Sequence, residues 1–136
     1  MPCRFETDNN GMNTASVSAS LSAATVLVVE DEAAVRTFCC AVLRRSGYRV
    51  LEAAGPVEAL DTIQRSENAV SLVLTDITMP VMSGREMVKR IDRAQRPDLR
   101  VLYMSGYSEN IQAGLDLLEK PFTSADLLKR VRAAMD

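Results

Sequence analysis

The sequence contains no histidine. That absence removes Ser-His and Cys-His nucleophile activation, imidazole zinc sites and imidazole proton shuttles. It also means that the chain cannot itself carry a phosphohistidine. Tryptophan is absent too, so a ligand cannot be followed by tryptophan quenching. The three cysteines, Cys3, Cys39 and Cys40, make no disulfide framework. Cys39 and Cys40 are adjacent and point to different faces of a helix, and no C-x-x-C spacing occurs, so they read as free thiols in a reducing cytoplasm. Long apolar runs are missing: the longest are strand-sized, against the roughly 20 residues that a membrane span needs. The first residues mix Arg4, Glu6 and Asp8 and lack the apolar segment of a secretory signal. An excess of basic charge is lacking as well. A net charge of −2 leaves no electrostatic footprint for nucleic acid. The expectation is a cytoplasmic protein with neither a membrane nor a direct nucleic-acid partner. Its chemistry is left to carboxylates, hydroxyls, lysine and a hard metal.

What is present fits one domain. With 136 residues, 47% hydrophobic and 25% charged, the chain suffices for a single α/β unit with a two-sided core. Residues 1–24 are rich in Ser, Thr, Ala and Asn without a usable period and read as a disordered tail. From Thr25 the pattern changes. Val26 to Val29 is an apolar, β-branched run of the kind found in strands buried on both faces. Val35, Phe38, Cys39, Val42 and Leu43 then recur at helical spacing until Ser46-Gly47.

The alternation repeats. Arg49–Ala53 reads as a strand, and Gly55-Pro56 opens a helix carrying Val57, Leu60 and Ile63. Val70 to Thr75 is a third strand ending at Asp76, followed by a loop with Pro80 and Gly84 and a helix carrying Met87, Val88 and Ile91. Val101 to Met104 forms a fourth strand that ends at Ser105-Gly106. A polar stretch follows, with at most a short helix around residues 108–113. Leu117–Glu119 is a brief fifth strand, and a capping-box pattern at Thr123 and Asp126 opens the last helix. Strands alternating with helices imply a doubly wound parallel sheet, five-stranded, with helices on both faces.

In such sheets ligands bind beyond the carboxyl ends of the strands. The residues there are Glu30, Asp31, Asp76, Ser105 and Lys120. Like-charged carboxylates at about 4 Å repel by roughly 4 kcal/mol at an effective dielectric near 20. A divalent cation relieves that repulsion, and an oxygen-only ligand set favours Mg²⁺. Asp76, at the end of the central strand, is then a candidate nucleophile toward a phosphoryl group, with Lys120 neutralising charge and Ser105 hydrogen-bonding a phosphoryl oxygen.

Val28-Val29-Glu30-Asp31-Glu32, Leu74 through Gly84, Met104-Ser105-Gly106-Tyr107 and Glu119-Lys120-Pro121-Phe122 occur in this order, each at a strand end. In this the sequence from Thr25 to Asp136 resembles the response-regulator receiver domains, which are similar to the chemotaxis regulator. Ser105-Gly106-Tyr107 and Lys120-Pro121-Phe122-Thr123 look most like receivers attached to hybrid sensor histidine kinases. The resemblance implies a flavodoxin-like strand order of 2-1-3-4-5. It implies that Asp76 accepts the phosphoryl group, that Asp31, Asp76 and the Thr78 carbonyl bind Mg²⁺ directly, and that Glu30 holds it through water. Ser105 is the hydroxyl switch residue, Lys120 the phosphate-pairing lysine, and Gly106 leaves room for the incoming group. The Lys120-Pro121 bond is expected to be cis. The implied partner is a sensor histidine kinase or a histidine phosphotransfer protein. The implied role is a phosphoacceptor switch with at most self-catalysed phosphotransfer and dephosphorylation, and not an enzyme. A homodimer stays open.

Two departures stand out. Leu117 occupies the position where the family usually has an aromatic residue, and the stretch from Ser105 to Lys120 is about two helical turns short, so the fourth helix must be short or irregular. Two other classes compete. A haloacid-dehalogenase-type phosphatase needs a second acid where this chain has Thr78. A pure binding module is the other, either a pseudo-receiver or a flavodoxin-like nucleotide binder; the complete acidic set argues against the first and the lack of a Gly-rich phosphate loop against the second.

Overall fold

The structure, a computed structural model, describes residues 24–65, 69–91, 96–106 and 116–136. The expected N-terminal tail, apart from Ala24, and the expected short helix around 108–113 lie outside these residues. The strands are β1 (Thr25–Val29), β2 (Arg49–Ala53), β3 (Val70–Asp76), β4 (Arg100–Ser105) and β5 (Leu117–Glu119). The helices among the described residues are α1 (Ala33–Arg45), α2 (Pro56–Gln64), α3 (Gly84–Lys89) and α4 (Ser124–Met135). All strand pairs are parallel, in the order β2-β1-β3-β4-β5. This is the order expected from the resemblance.

The apolar runs have their cause in this architecture. Successive residues of a strand point to opposite faces, and both faces of the central strands are covered. Val26, Val28, Leu72, Leu74, Leu102 and Met104 pack with Cys39 and Leu43 of α1 and Leu127 and Val131 of α4. On the other face Leu27, Val29 and Val73 pack with Ala59 and Ile63 of α2 and Met87 of α3. Cys39 and Cys40 are free thiols, as the sequence suggests, and both are buried in the same core, where burial pushes them up to about 12 and about 11. No helix of the described residues is long and apolar enough to cross a membrane.

Local signals set the ends. α1 stops at Gly47, which takes the left-handed φ of 98° while the Tyr48 N–H donates to the Leu43 carbonyl. α4 opens on the expected capping box, with Thr123 and Asp126 satisfying each other's main-chain N–H groups. α3 is shorter than its periodicity implies: it ends at Lys89, and Ile91 is buried just beyond the helix.

Between β3 and α3 the chain turns tightly. The Met82 N–H donates to the Pro80 carbonyl at 2.9 Å, and Val81 at its centre holds φ 78° with its side chain in solvent. Gly84 follows as the first residue of α3, its N–H donating to the Ile77 carbonyl at 2.7 Å. A Cβ on Gly84 would lie 2.0 Å from the Asp76 carbonyl oxygen, so α3 sits against the main chain of Asp76 with no space for a side chain. Gly84→Ala is therefore expected to destabilise the protein by about 2–4 kcal/mol in urea unfolding. Gly55→Ala, where a Cβ meets nothing within 4 Å, should cost under about 1 kcal/mol. Equal effects of the two substitutions would show that the contact does not constrain the loop.

Candidate functional site

Strand register brings the functional side chains together. Val29 pairs with Thr75, so the next residues, Glu30 and Asp76, stand side by side past the end of that pairing. Asp76 pairs with Met104, which places Ser105 one step further, and Ser105 pairs with Glu119, just before Lys120. The Lys120 N–H donates to the Ser105 carbonyl at 2.8 Å, and the Lys120-Pro121 bond is cis, as the resemblance implies. The cluster lies where β1 and β3 adjoin, the switch point of the sheet.

One ammonium serves two carboxylates. Lys120 Nζ is 2.7 Å from Asp76 Oδ1 and 2.9 Å from Glu30 Oε2. Asp76 is 5% and Glu30 1% exposed, so neither is solvated by bulk water. Glu30 Oε1 also accepts the N–H of Glu32, the residue that caps α1. Burial opposes ionisation of Glu30, but its hydrogen bonds with Asp76, Lys120 and the Glu32 amide outweigh this and hold it below the usual carboxylate range. Asp76 moves the other way: burial, and then the hydrogen bond and charge of Glu30, push it up to about 8 against the pull of Lys120. Burial disfavours the charge of Lys120, yet its bonds to both carboxylates raise it above its ordinary value. Two carboxylates beside one lysine thus retain a proton near neutrality.

The third carboxylate differs. Asp31 is exposed, yet one oxygen of each of Glu30, Asp31 and Asp76 can be chosen so that the three lie within 4.8 Å of one another. This donor set of hard carboxylate oxygens suits an oxygen-preferring divalent cation better than zinc or copper. Thr78 lies at the surface two residues past Asp76, and Gly106 is half-buried directly after Ser105. The Ser105 hydroxyl is fully buried and has no hydrogen-bond partner among the described residues. A buried hydroxyl left without a partner costs about 1–3 kcal/mol.

Three features of the site are absent from the sequence reading. Gly84 reads there as a loop residue, and its approach to Asp76 shows only once α3 is placed. Arg36, whose NH1 donates to the Glu30 carbonyl at 2.7 Å, carries no motif signal. Phe38, predicted as part of the core face of α1, is 40% exposed and meets Phe122 with ring centroids 6.2 Å apart. The spacing of Phe38 within α1 is indeed helical, but its position opposite the β5–α4 turn is a long-range fact.

The raised Asp76 gives a stability signature. Between its ordinary 3.8 and about 8, the folded chain binds more protons than the unfolded chain. Its contribution is therefore full below the lower value and lost as pH rises through the upper one. Asp76→Asn removes this loss. In urea unfolding with chelator present, the variant should gain on the wild type by about 1–3 kcal/mol between about pH 5 and pH 8. Parallel pH profiles would mean that Asp76 is ionised throughout.

The comparisons with known proteins agree with this geometry. A family model described as the response regulator receiver domain matches residues 26–132. The sensor kinase CckA of Brucella abortus is 36% identical over 120 residues, which cover 83% of this chain and 13% of the kinase. The response regulator receiver protein CpdR of the same organism is 30% identical over 113 residues, 78% of this chain and 92% of that protein. The chain therefore spans nearly the whole of one relative and a small part of the other. Among solved structures, the receiver domain of the hybrid histidine kinase CckA matches with a TM-score of 0.72 and 34% identity, over 82% of this chain and 99% of that one. Four ordered motifs, the 2-1-3-4-5 sheet and these matches lead to one conclusion: this chain belongs to the response regulator receiver domain family.

Proposed function

We propose that Asp76 accepts a phosphoryl group from the phosphohistidine of a sensor histidine kinase or histidine phosphotransfer protein, in a Mg²⁺-assisted reaction. The observation that carries this reading is a buried strand-end carboxylate 2.7 Å from a lysine ammonium and clustered with two further carboxylates. In the reaction an Asp76 oxygen attacks phosphorus. The phosphorus–nitrogen bond to the donor imidazole breaks, and its electron pair returns to the imidazole nitrogen. Asp76 must be ionised for this, and the retained proton has to leave first.

Asp31, Asp76 and the Thr78 carbonyl would hold the ion directly and Glu30 through water. When bound, Mg²⁺ supplies charge neutralisation for the pocket and the phosphoryl oxygens. Lys120 pairs with a phosphoryl oxygen, which offers it a charge in place of the one Asp76 loses on forming the acyl phosphate. The unpartnered Ser105 hydroxyl donates to another oxygen. Gly106 leaves space for the group. Residues 25–136 act as the receiver unit in the cytoplasm, downstream of an N-terminal tail over 1–24. The chain turns over no substrate of its own beyond self-catalysed transfer and dephosphorylation. Its product is a change of charge that shifts a conformational equilibrium presented to a regulated partner. The lack of a second acid at Thr78 supports this over the phosphatase reading.

A donor surface adjoins the pocket. Phe38, Phe122, Ala34, Val35 and Pro121 line an apolar groove of about 280 Å³ that includes Lys120 at its edge. A protein seated there has its reactive imidazole beside the acidic pocket.

Acetyl phosphate with Mg²⁺ is expected to add the mass of one phosphoryl group. Addition should vanish in chelator and in Asp76→Asn, and should slow on the order of a hundredfold in Lys120→Ala. No mass gain, or a gain that survives Asp76→Asn, sinks the reading.

A further inference from the structure

We propose that Arg36 is the positioning residue of the β1–α1 turn, acting through the main chain at Glu30 to set where the Asp31 carboxylate stands. This rests on the reading of the acidic pocket given above. Asp31 is the exposed member of the three carboxylates, and among the described residues no hydrogen bond or ion pair holds its side chain. Its place in the cluster is therefore set by its own backbone. The peptide unit that precedes it is planar and carries both the Glu30 carbonyl and the Asp31 N–H. Holding that carbonyl holds the plane, and with it the direction in which Asp31 leaves the chain.

Arg36 holds it. Its NH1 donates to the Glu30 carbonyl at 2.7 Å, a short charge-assisted bond, while the Glu30 N–H donates to the Ala53 carbonyl at 3.1 Å. The guanidinium is aimed from the other side: its Nε lies 3.6 Å from Glu52 Oε1 on β2. Glu52 is fixed in turn by Arg44, whose NH2 is 3.3 Å from Oε2 and also donates to the Val50 carbonyl at 3.3 Å. The Arg36 side chain is 21% exposed and Arg44 51%, so the more shielded of the two arginines is the one that reaches the pocket's main chain. Arg36 belongs to neither apolar core. Among the described residues its side chain meets one carbonyl, which precedes a proposed cation ligand, and one carboxylate that orients it. Partners of this kind behind metal ligands commonly set affinity by 10–100-fold.

The test is a Mg²⁺ titration of the ¹⁵N-labelled full chain by NMR, at a temperature where each variant is folded. Arg36→Ala is expected to weaken Mg²⁺ about tenfold, and Arg36→Lys, which keeps one cationic donor for the carbonyl, to stay within about threefold of the wild type. In the metal-free proteins, the Asp31 and Glu32 amide resonances should shift more in Arg36→Ala than those of β3. A merely structural role lowers the unfolding midpoint and leaves the affinity of the folded protein unchanged, and that result overturns the proposal. Equal losses in Arg36→Ala and Arg36→Lys also overturn it. Should Arg36→Ala not fold, Glu52→Gln takes its place, with a loss of about threefold expected and an unchanged affinity counting against the proposal. A wild type that binds no Mg²⁺ overturns the reading of the pocket itself, and this inference with it.

Discussion

Two carboxylates buried side by side under one lysine set the terms for the rest of the site. Glu30 and Asp76 have almost no access to water, and Lys120 is the one cationic side chain paired with both among the described residues. Charges so placed repel strongly and are poorly solvated. They persist because the surrounding strands leave them nowhere else to go. The register of β1 on β3 makes Glu30 and Asp76 neighbours, and β5, although only three residues long, ends where Lys120 reaches both. The pocket consequently keeps a proton: burial and then Glu30 raise Asp76, while Glu30 is lowered against its own burial by its hydrogen bonds to Asp76, Lys120 and the Glu32 amide. In this state it is a trap for positive charge, which is why the exposed Asp31 matters: it completes an oxygen cluster open to solvent on one side.

Much of this arrangement is legible in the sequence because it depends on periodicity and on strand ends. The run Val26 to Val29 has to be buried on both faces, and the structure divides it between two cores, even residues toward α1 and α4, odd residues toward α2 and α3. Once the strands are parallel, their last residues share one edge, so Glu30, Asp76, Ser105 and Lys120 follow from strand boundaries alone. Contacts between residues distant along the chain are not encoded in that way. Gly84 looks like any loop glycine until α3 is laid against the Asp76 carbonyl. Arg36 looks like a solvated helix arginine until β2 supplies Glu52. The length of α3 was equally hidden, since Ile91 keeps the helical spacing and the apolar character but packs after the helix has ended.

The chemistry and its readout rest on different parts of the molecule. Every residue assigned to the pocket comes from a strand end or the loop directly after it. Leu117 lies elsewhere, at the start of β5 and opposite Tyr103 on β4. A leucine has no hydroxyl or ring edge with which to follow a change at Ser105, so a relay through an aromatic side chain at this position is not open to this chain. The contacts among Glu30, Asp76 and Lys120 do not involve Leu117, so the proposed phosphoryl site and its manner of reporting are separable.

The same separation appears in the energetics. A protein near its stability threshold tolerates an unfavourable site only where the remainder of the fold is consistent. Here the inconsistent elements are confined to one edge: two buried carboxylates, a buried hydroxyl without a partner, and Val81 held at φ 78°. Beneath that edge both faces of the sheet are apolar, and α3 and α4 open on side-chain caps from Ser83 and Thr123. Unfavourable groups gathered at the switch point of a sheet, with no counterpart elsewhere among the described residues, are better explained by a ligand that relieves them than by chance. The proposed cation and phosphoryl group would relieve the carboxylates and the hydroxyl together, the one by its positive charge and the other by its acceptor oxygens.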